Sequence, residues 1–177
     1  MTVLEKLLRH DAWTTRLLLT RAAEISDAHL DREFDMGHHT LRRTFQHIVG
    51  NMECWCDLML SRPQRPRRHA PDEGIPSLLA RLDVVAGELV ALGKRFEAAG
   101  HSDEVFTDYL DNPPRKKFVG TALLHVATHG MHHRAQCLWM MRQLGLQNLP
   151  EGDVFSWESA DQKRGESAMF TPPPALP

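Results

Sequence analysis

The chain of 177 residues lacks the features that place a protein in a membrane or in a secreted, disulfide-linked class. It has no apolar run approaching the roughly 18–20 residues that a membrane-spanning helix needs, and no basic N-terminal segment followed by an apolar stretch and a cleavage site. Its three cysteines are an odd number, and Cys54 and Cys56 are too close in sequence to bridge within a helix. We therefore expect a cytoplasmic protein with no membrane partner.

An excess of charge of one sign is also missing. The 21 basic and 23 acidic residues give a formal net charge of -2, which creates no overall field that would attract phosphate backbones. The arginines between residues 62 and 68 alternate with prolines and have no aromatic neighbours, so this stretch is interpreted as a solvated loop. Nucleic acid is not an expected partner.

What the chain does have is a helical pattern. Apolar residues recur at spacings of three and four in four long segments, at about residues 2–24, 41–60, 77–100 and 121–145. Side chains that can cap a helix stand near the predicted starts, and glycines stand at two of the predicted ends. These capping and terminating residues are Thr2, Thr40, Ser77, Thr121, Gly100 and Gly145. The pattern predicts an all-α protein built as a four-helix bundle.

Two segments fall outside this pattern. Residues 101–119 contain two short apolar patches on either side of Asp111-Asn112-Pro113-Pro114, which indicates a short irregular or hairpin excursion before the last long helix. Residues 146–177 are rich in Gly, Pro and Ser and are expected to form a loosely packed C-terminal tail. With 42% hydrophobic residues, residues 1–177 fit one domain, of which 1–145 form the bundle.

Histidine is unusually frequent, with 11 residues. His125, His129 and His133 follow one another at steps of four, which places them on one helical face with neighbouring side chains about 5–6 Å apart. Either His129 with His133 or His125 with His129 could therefore bind one ion. His132 is expected to face solvent. The ordinary alternative is that these rings are exposed or simply hydrogen-bonded.

A third ligand could come from His47. This residue stands in an apolar helical run beside Phe45 and Ile48, where an unpaired polar ring would be costly unless something binds it. Three neutral imidazoles suit zinc, nickel or ferrous iron, and a site with three protein ligands leaves coordination positions open for chemistry.

Two segments resemble motifs of the DinB/YfiT-like family of proposed metalloenzymes. TFQHIVGNMECW, residues 44–55, resembles the motif around the family's first histidine, and HVATHGMHHRAQ, residues 125–136, resembles the second, with Ala135 where glycine is usual. The helix end at Leu144-Gly145 and Trp13 also fit. The resemblance implies a four-helix bundle, often a homodimer, with one divalent metal ion on His47, His129 and His133 and with His125 outside the ligand set.

The resemblance also suggests a class of chemistry. Some relatives are similar to transferases that use a low-molecular-weight thiol such as bacillithiol or mycothiol, and a metal ion suits this reaction because coordination removes the proton of a thiol at neutral pH. The expected partner is then a small-molecule substrate, and the histidines act as metal ligands, with no catalytic acid or base assigned. A metal-dependent hydrolase, or a non-catalytic bundle with a structural ion or none that binds another protein, are the alternatives.

Several other side chains have two interpretations. Glu53 could lie behind a metal ligand or help to orient the second helix, and Arg134 could contact an anionic substrate, although a solvated surface position is favoured. Trp55 and Trp139 are expected to pack in the core. Cys54, Cys56 and Cys137 are expected to be buried and unreactive.

Overall fold

The computed structural model describes residues 1–66, 70–100 and 104–165. Within them, six helices and one small antiparallel sheet follow one another along the chain. The elements are α1 Val3–Ala22, α2 Asp27–Leu30, α3 Leu41–Met59, α4 Ile75–Ala98, β1 Val105–Asp108, β2 Arg115–Phe118, α5 Val119–Gln143 and α6 Val154–Gly165. The all-α prediction is confirmed, because the sheet contains only the two short strands of a hairpin.

The four long helices α1, α3, α4 and α5 form the bundle. Helix α1 packs against α4 and α5, and α3 packs against the same two helices, so α1 and α3 occupy opposite corners. The core between them is made of aliphatic side chains with Phe45 among its largest members. Since α3 and α5 are neighbours, their facing polar residues can meet inside the bundle.

Several helices start or end at the capping residues that the sequence predicted. Thr2 and Thr40 cap α1 and α3, and their hydroxyl groups accept hydrogen bonds from the backbone N–H groups of Glu5 and Arg43. Helix α5 ends at Gly145, which has φ of +87°; the N–H groups of Gly145 and Leu146 donate to the carbonyl groups of Arg142 and Met141, which is a Schellman ending.

Two predicted helix caps were wrong by three residues, since the N-caps are Gly74 and Phe118 rather than Ser77 and Thr121. Helix α4 begins at Ile75 after Gly74, with Pro76 in its first turn, and Ser77 instead donates its hydroxyl hydrogen to Glu73. Helix α5 begins at Val119 directly after β2, with no side-chain cap, so Thr121 lies inside the helix. In both cases another feature, a proline or a hairpin strand, sets the start of the helix.

The segment after Gly145 contains a helix that the sequence pattern did not predict. Helix α6 packs against α1, and its Trp157 is only 2% exposed. Gly152, with φ of +70°, lies so close to Thr14 that a Cβ atom there would stand 2.3 Å from the Thr14 side chain. The first part of the predicted loose tail is therefore packed on α1; residues 166–177 lie outside the described part of the chain, and the single-domain division stays a prediction.

Three expectations about polar and aromatic side chains are corrected. Trp139 is 39% exposed rather than in the core and meets Phe34 edge-on. Arg134 is 4% exposed rather than solvated. Arg62 and Arg65 are not free in a solvated loop, because both donate to Asp57, which they cover; Arg67 and Arg68 lie outside the described residues.

Other expectations hold. Trp55 packs against the core beside Phe106, and Cys56 and Cys137 are buried. Among residues 1–66, 70–100 and 104–165, no helix has both the length and the apolar character needed to cross a bilayer.

Candidate metal centre

His47, His129 and His133 meet between α3 and α5. His129 and His133 are one helical turn apart on α5, and His47 comes from the facing side of α3. The Nε2 atom of His129 lies 3.0 Å from Nε2 of His47 and 3.2 Å from Nε2 of His133. The structure thus brings together the three residues named from the sequence.

Hydrogen bonding alone does not explain this arrangement. One ring nitrogen is either a donor or an acceptor, yet Nε2 of His129 faces two other Nε2 atoms at hydrogen-bond distance. Two nitrogens bound to one tetrahedral zinc ion at about 2.0–2.1 Å lie about 3.3–3.4 Å apart. The observed spacings are close to this value, so a cation would satisfy all three lone pairs at once.

Gln136 fixes the orientation of His133. The Nδ1–H group of His133 donates to Oε1 of Gln136 at 2.8 Å, and the amide N–H of Gln136 donates to Nε2 of His132 at 3.2 Å. Because Nδ1 of His133 carries the hydrogen, its Nε2 presents a lone pair to the cluster. A polar partner behind a histidine ligand is the usual way in which a protein sets the tautomer and direction of the ring.

The environment keeps the imidazoles neutral. Burial, followed by the neighbouring histidines and first among them His133, lowers the pKa of His129 to about 4. Burial also lowers the pKa of His133, although the hydrogen bond to Gln136 acts in the opposite direction. Neutral imidazole is the form that binds a metal, so these residues are ready to bind an ion at neutral pH.

A fourth histidine lies at the same place and was not singled out from the sequence. The ring of His38, in the segment between α2 and α3, is centred 3.8 Å from the ring of His47 and 5.2 Å from that of His133. One ligand atom from each of His38, His47 and His133 lies within 4.8 Å of the others, which makes these three a group able to hold a metal ion. No periodic pattern could have revealed His38, because it stands outside the helices.

The remaining histidines of α5 lie at the edge of the histidine cluster. His125 is exposed, and its ring is centred 5.2 Å from both Trp55 and His129. His132 is exposed, as predicted, and contacts the cluster through Gln136. Both rings are thus more exposed than those of His47, His129 and His133, and the exclusion of His125 from the ligand set stays a prediction.

On the side of helix α5 that faces α1, the structure is held by an ion pair. Arg134 donates to Asp11 of α1, and both side chains are buried. A Cβ atom at Gly130 would stand 2.5 Å from Oδ1 of Asp11, so only glycine lets the two helices approach this closely. Arg134 therefore positions α5 and is not available to contact a substrate.

Glu53 has a structural role as well. Its carboxylate accepts hydrogen bonds from Arg81 of α4 at 2.6 and 3.0 Å, and Arg81 also donates to Glu73. This contact joins α3 to α4, in agreement with the interpretation that Glu53 orients the second long helix.

A pocket of about 390 Å³ opens next to the histidine cluster. His38 forms part of its wall, together with side chains from the loop before α3 and from the first turns of α3. The other lining residues are Asp31, Glu33, Thr40, Arg42, Arg43, Gln46 and Pro71. A small molecule in this pocket would lie beside His38.

The family assignment rests on a match over most of the chain. Residues 1–164 match the model of the DinB family. The chain belongs to the DinB family. No curated protein matches it. Membership in the DinB family and the histidine group of the structure both fit metal binding.

Proposed function

We propose that this DinB-family chain is a divalent-metal-dependent enzyme that transfers a low-molecular-weight thiol to a small-molecule substrate, with zinc, nickel or iron bound by His47, His129 and His133. The observation that carries the proposal is the approach of the three Nε2 atoms, at 3.0 and 3.2 Å around His129. One Nε2 atom cannot donate to one neighbour and accept from the other, so hydrogen bonds among the three rings leave one of these contacts unsatisfied, whereas a cation would bind all three lone pairs.

We expect the bundle to fold without the ion. Its core consists of buried apolar side chains from all four long helices, and the histidines lie at one edge of α3 and α5. A metal that is not needed to hold the fold together is suited to bind and activate a ligand. When bound, the ion would supply the positive charge that removes the proton of a thiol at neutral pH.

Two of the three cysteines are unsuited to supply the thiol, whereas the third, Cys54, is half-buried and not buried as expected. Burial, together with the nearby carboxylate of Glu88, raises the pKa of the Cys56 thiol to about 12. Burial also raises the pKa of Cys137. Both cysteines are therefore protonated and unreactive, since the thiolate is the nucleophile.

The pocket beside the cluster offers a place for such a molecule. Arg43 is exposed at its wall and can attract a carboxylate or another anionic group of a small thiol. His38 and Gln46 provide hydrogen-bonding groups on the same wall. The active form that we propose is a homodimer, as the family resemblance implies, and light scattering at several concentrations would test it.

Metal content tests the first part of the proposal. We expect about one equivalent of zinc, nickel or iron per chain in protein purified without a histidine tag, and almost none in His133→Ala, as measured by plasma mass spectrometry. His29→Ala is the matched control, because His29 is exposed and its ring contacts Ser26 of the same short helix. Equal metal in the wild type and in His133→Ala would exclude the site.

Thiol consumption tests the second part. The metal-loaded protein is expected to accelerate the loss of free thiol when bacillithiol or mycothiol is mixed with an electrophile, and His133→Ala is expected not to do so. If metal binds but no thiol reacts faster with any electrophile tested, the transferase assignment is wrong and metal binding stands.

A further inference from the structure

His38 reaches the histidine cluster from outside the bundle helices. It belongs to the loop between α2 and α3, and its ring is centred 3.8 Å from that of His47 at an interplanar angle of 32°. It is half-buried, as is His47. Its ligand atom lies within 4.8 Å of those of both His47 and His133, so a change in side-chain torsion, without any movement of a helix, can bring it to the same ion.

The backbone around His38 is bent to hold it in this place. Its neighbours Gly37 and His39 both have positive φ, +50° and +66°. The conformation is easy for glycine but costly for a residue with a Cβ atom. Hydrogen bonds from His39 N–H to Met36 and from Thr40 N–H to His38 close the turn at 2.8 Å each. An ordinary connection to α3 would not require a left-handed histidine.

This loop also touches the residue that orients His133. A Cβ atom at Gly37 would stand 2.6 Å from Oε1 of Gln136, the atom that accepts the hydrogen bond of His133. Glycine at position 37 therefore lets the loop lie directly against Gln136. The position of His38 and the orientation of His133 are set by the same contact.

We propose that His38 is a fourth metal ligand, so that the resting site consists of four imidazoles, from His38, His47, His129 and His133. The inference rests on the proposed metal site and deepens it. Of these four histidines, His38 alone lines the pocket, so a thiol that enters the pocket would meet His38 before the other three.

Cobalt binding tests the fourth ligand without any assay of activity. Co²⁺ is added to metal-free wild type and to His38→Ala, and its dissociation constant and visible absorption are recorded. We expect at least about tenfold weaker binding in the variant, since loss of a residue that only orients a ligand already costs about 10–100-fold in affinity. The absorption bands should also change, because the number of ring nitrogens on the ion differs.

Two further variants make this result specific. His39→Asn alters the adjacent histidine but keeps a residue that tolerates positive φ, and it should bind Co²⁺ like the wild type. His38→Gln retains the size of the side chain and guards against a folding defect, which the circular dichroism spectrum and melting temperature of each metal-free variant would reveal. Wild-type affinity and an unchanged spectrum in folded His38→Ala or His38→Gln would overturn the inference.

A measurement on the wild type completes the test. In protein with ¹⁵N-labelled histidines, one equivalent of Zn²⁺ is expected to move the ring-nitrogen resonances of four imidazoles into the range of metal-bound nitrogen. Three such imidazoles that persist in His38→Ala would reject His38 while leaving the proposed function intact. No bound Co²⁺ or Zn²⁺ in the wild type would instead reject the proposed function itself.

Discussion

The two halves of α3 carry two polar clusters of opposite character. Near its start, His47 contacts the imidazole rings of His129 and His133, so three groups of the same kind lie together. Near its end, Asp57 meets Arg62 and Arg65, and the same arginines also bind Glu88 of α4. In the second cluster each charge finds its opposite, whereas in the first the imidazoles offer one another only neutral hydrogen bonds, and Nε2 of His129 cannot satisfy both neighbours at once. A cluster of complementary charges indicates a structural role, whereas a cluster of converging imidazoles indicates a binding site for an ion.

The largest expected effect comes from breaking the complementary cluster. Asp57→Ala removes a side chain with 0% exposure that accepts hydrogen bonds from both Arg62 and Arg65. We expect a loss of about 2–4 kcal/mol in the free energy of unfolding, slightly below the range for breaking a fully buried pair because the two arginines can turn toward water. Urea denaturation of the metal-free protein measures it.

His47→Ala is the comparison for this variant. Removing one imidazole should change the free energy of unfolding of the metal-free protein by about 1 kcal/mol or less, since only a neutral hydrogen bond to His129 is lost. A loss as large as that of Asp57→Ala would mean that the imidazole cluster is itself structural.

The second effect is stabilisation by metal. Zinc at 100 times its dissociation constant should raise the free energy of unfolding of the wild type by about 2.7 kcal/mol. His133→Ala should gain nothing, whereas Asp57→Asn should retain the full increment despite its lower starting stability. Thermal unfolding with and without zinc would show whether the two clusters are independent, and a lost increment in Asp57→Asn would contradict that independence.

A smaller effect is expected at Gln136. Gln136→Ala removes the acceptor for Nδ1–H of His133, and we expect metal affinity to fall by about tenfold, or about 1.4 kcal/mol, with little change in metal-free stability. Gln143→Ala, an exposed glutamine at the end of the same helix, is the control. Calorimetric titration with zinc compares the two variants.

The smallest expected effect is the dependence of the free energy of unfolding on pH. Burial raises the pKa values of Asp57 and Glu88, but the hydrogen bonds and charges of Arg62 and Arg65 outweigh this effect and hold both below their usual values. A carboxylate with a lowered folded-state pKa contributes stability above its unfolded value of about 4, and this stability disappears as the pH falls below that value. Metal-free wild type should therefore lose stability below about pH 4.5 more steeply than Asp57→Asn, as urea denaturation at several pH values would show.

The sequence predicted those parts of the molecule that depend on neighbours along the chain. Thr2, Thr40, Gly100 and Gly145 stand where a helix starts or stops, because each acts on backbone groups within a few residues. Histidines four apart on one helix are neighbours for the same reason. The pairing of α3 with α5, which brings His47 to them, followed from the family motifs rather than from any periodicity.

What the sequence did not predict depends on contacts between distant segments. Arg134 looked solvated because its partner, Asp11, lies 123 positions earlier in the chain. His38 was missed because its place is set by a turn with two positive φ angles, and helix α6 was missed because the burial of Trp157 against α1 outweighs a weak local pattern. Such contacts become visible only when the chain is folded.

The ion pair between Asp11 and Arg134 has one more consequence, for the mechanics of α5. Gly130 and Arg134 each directly follow a proposed ligand, His129 or His133. The same turn of α5 therefore contacts Asp11 of α1 through Gly130 and Arg134 and faces α3 through the two histidines. A rigid helix cannot turn one of these faces without turning the other. We therefore expect the angle at which the two imidazoles meet His47 to depend on how α5 packs against α1. Mutations at the contact between these two helices could then change the metal affinity of the site without altering any residue that binds the ion.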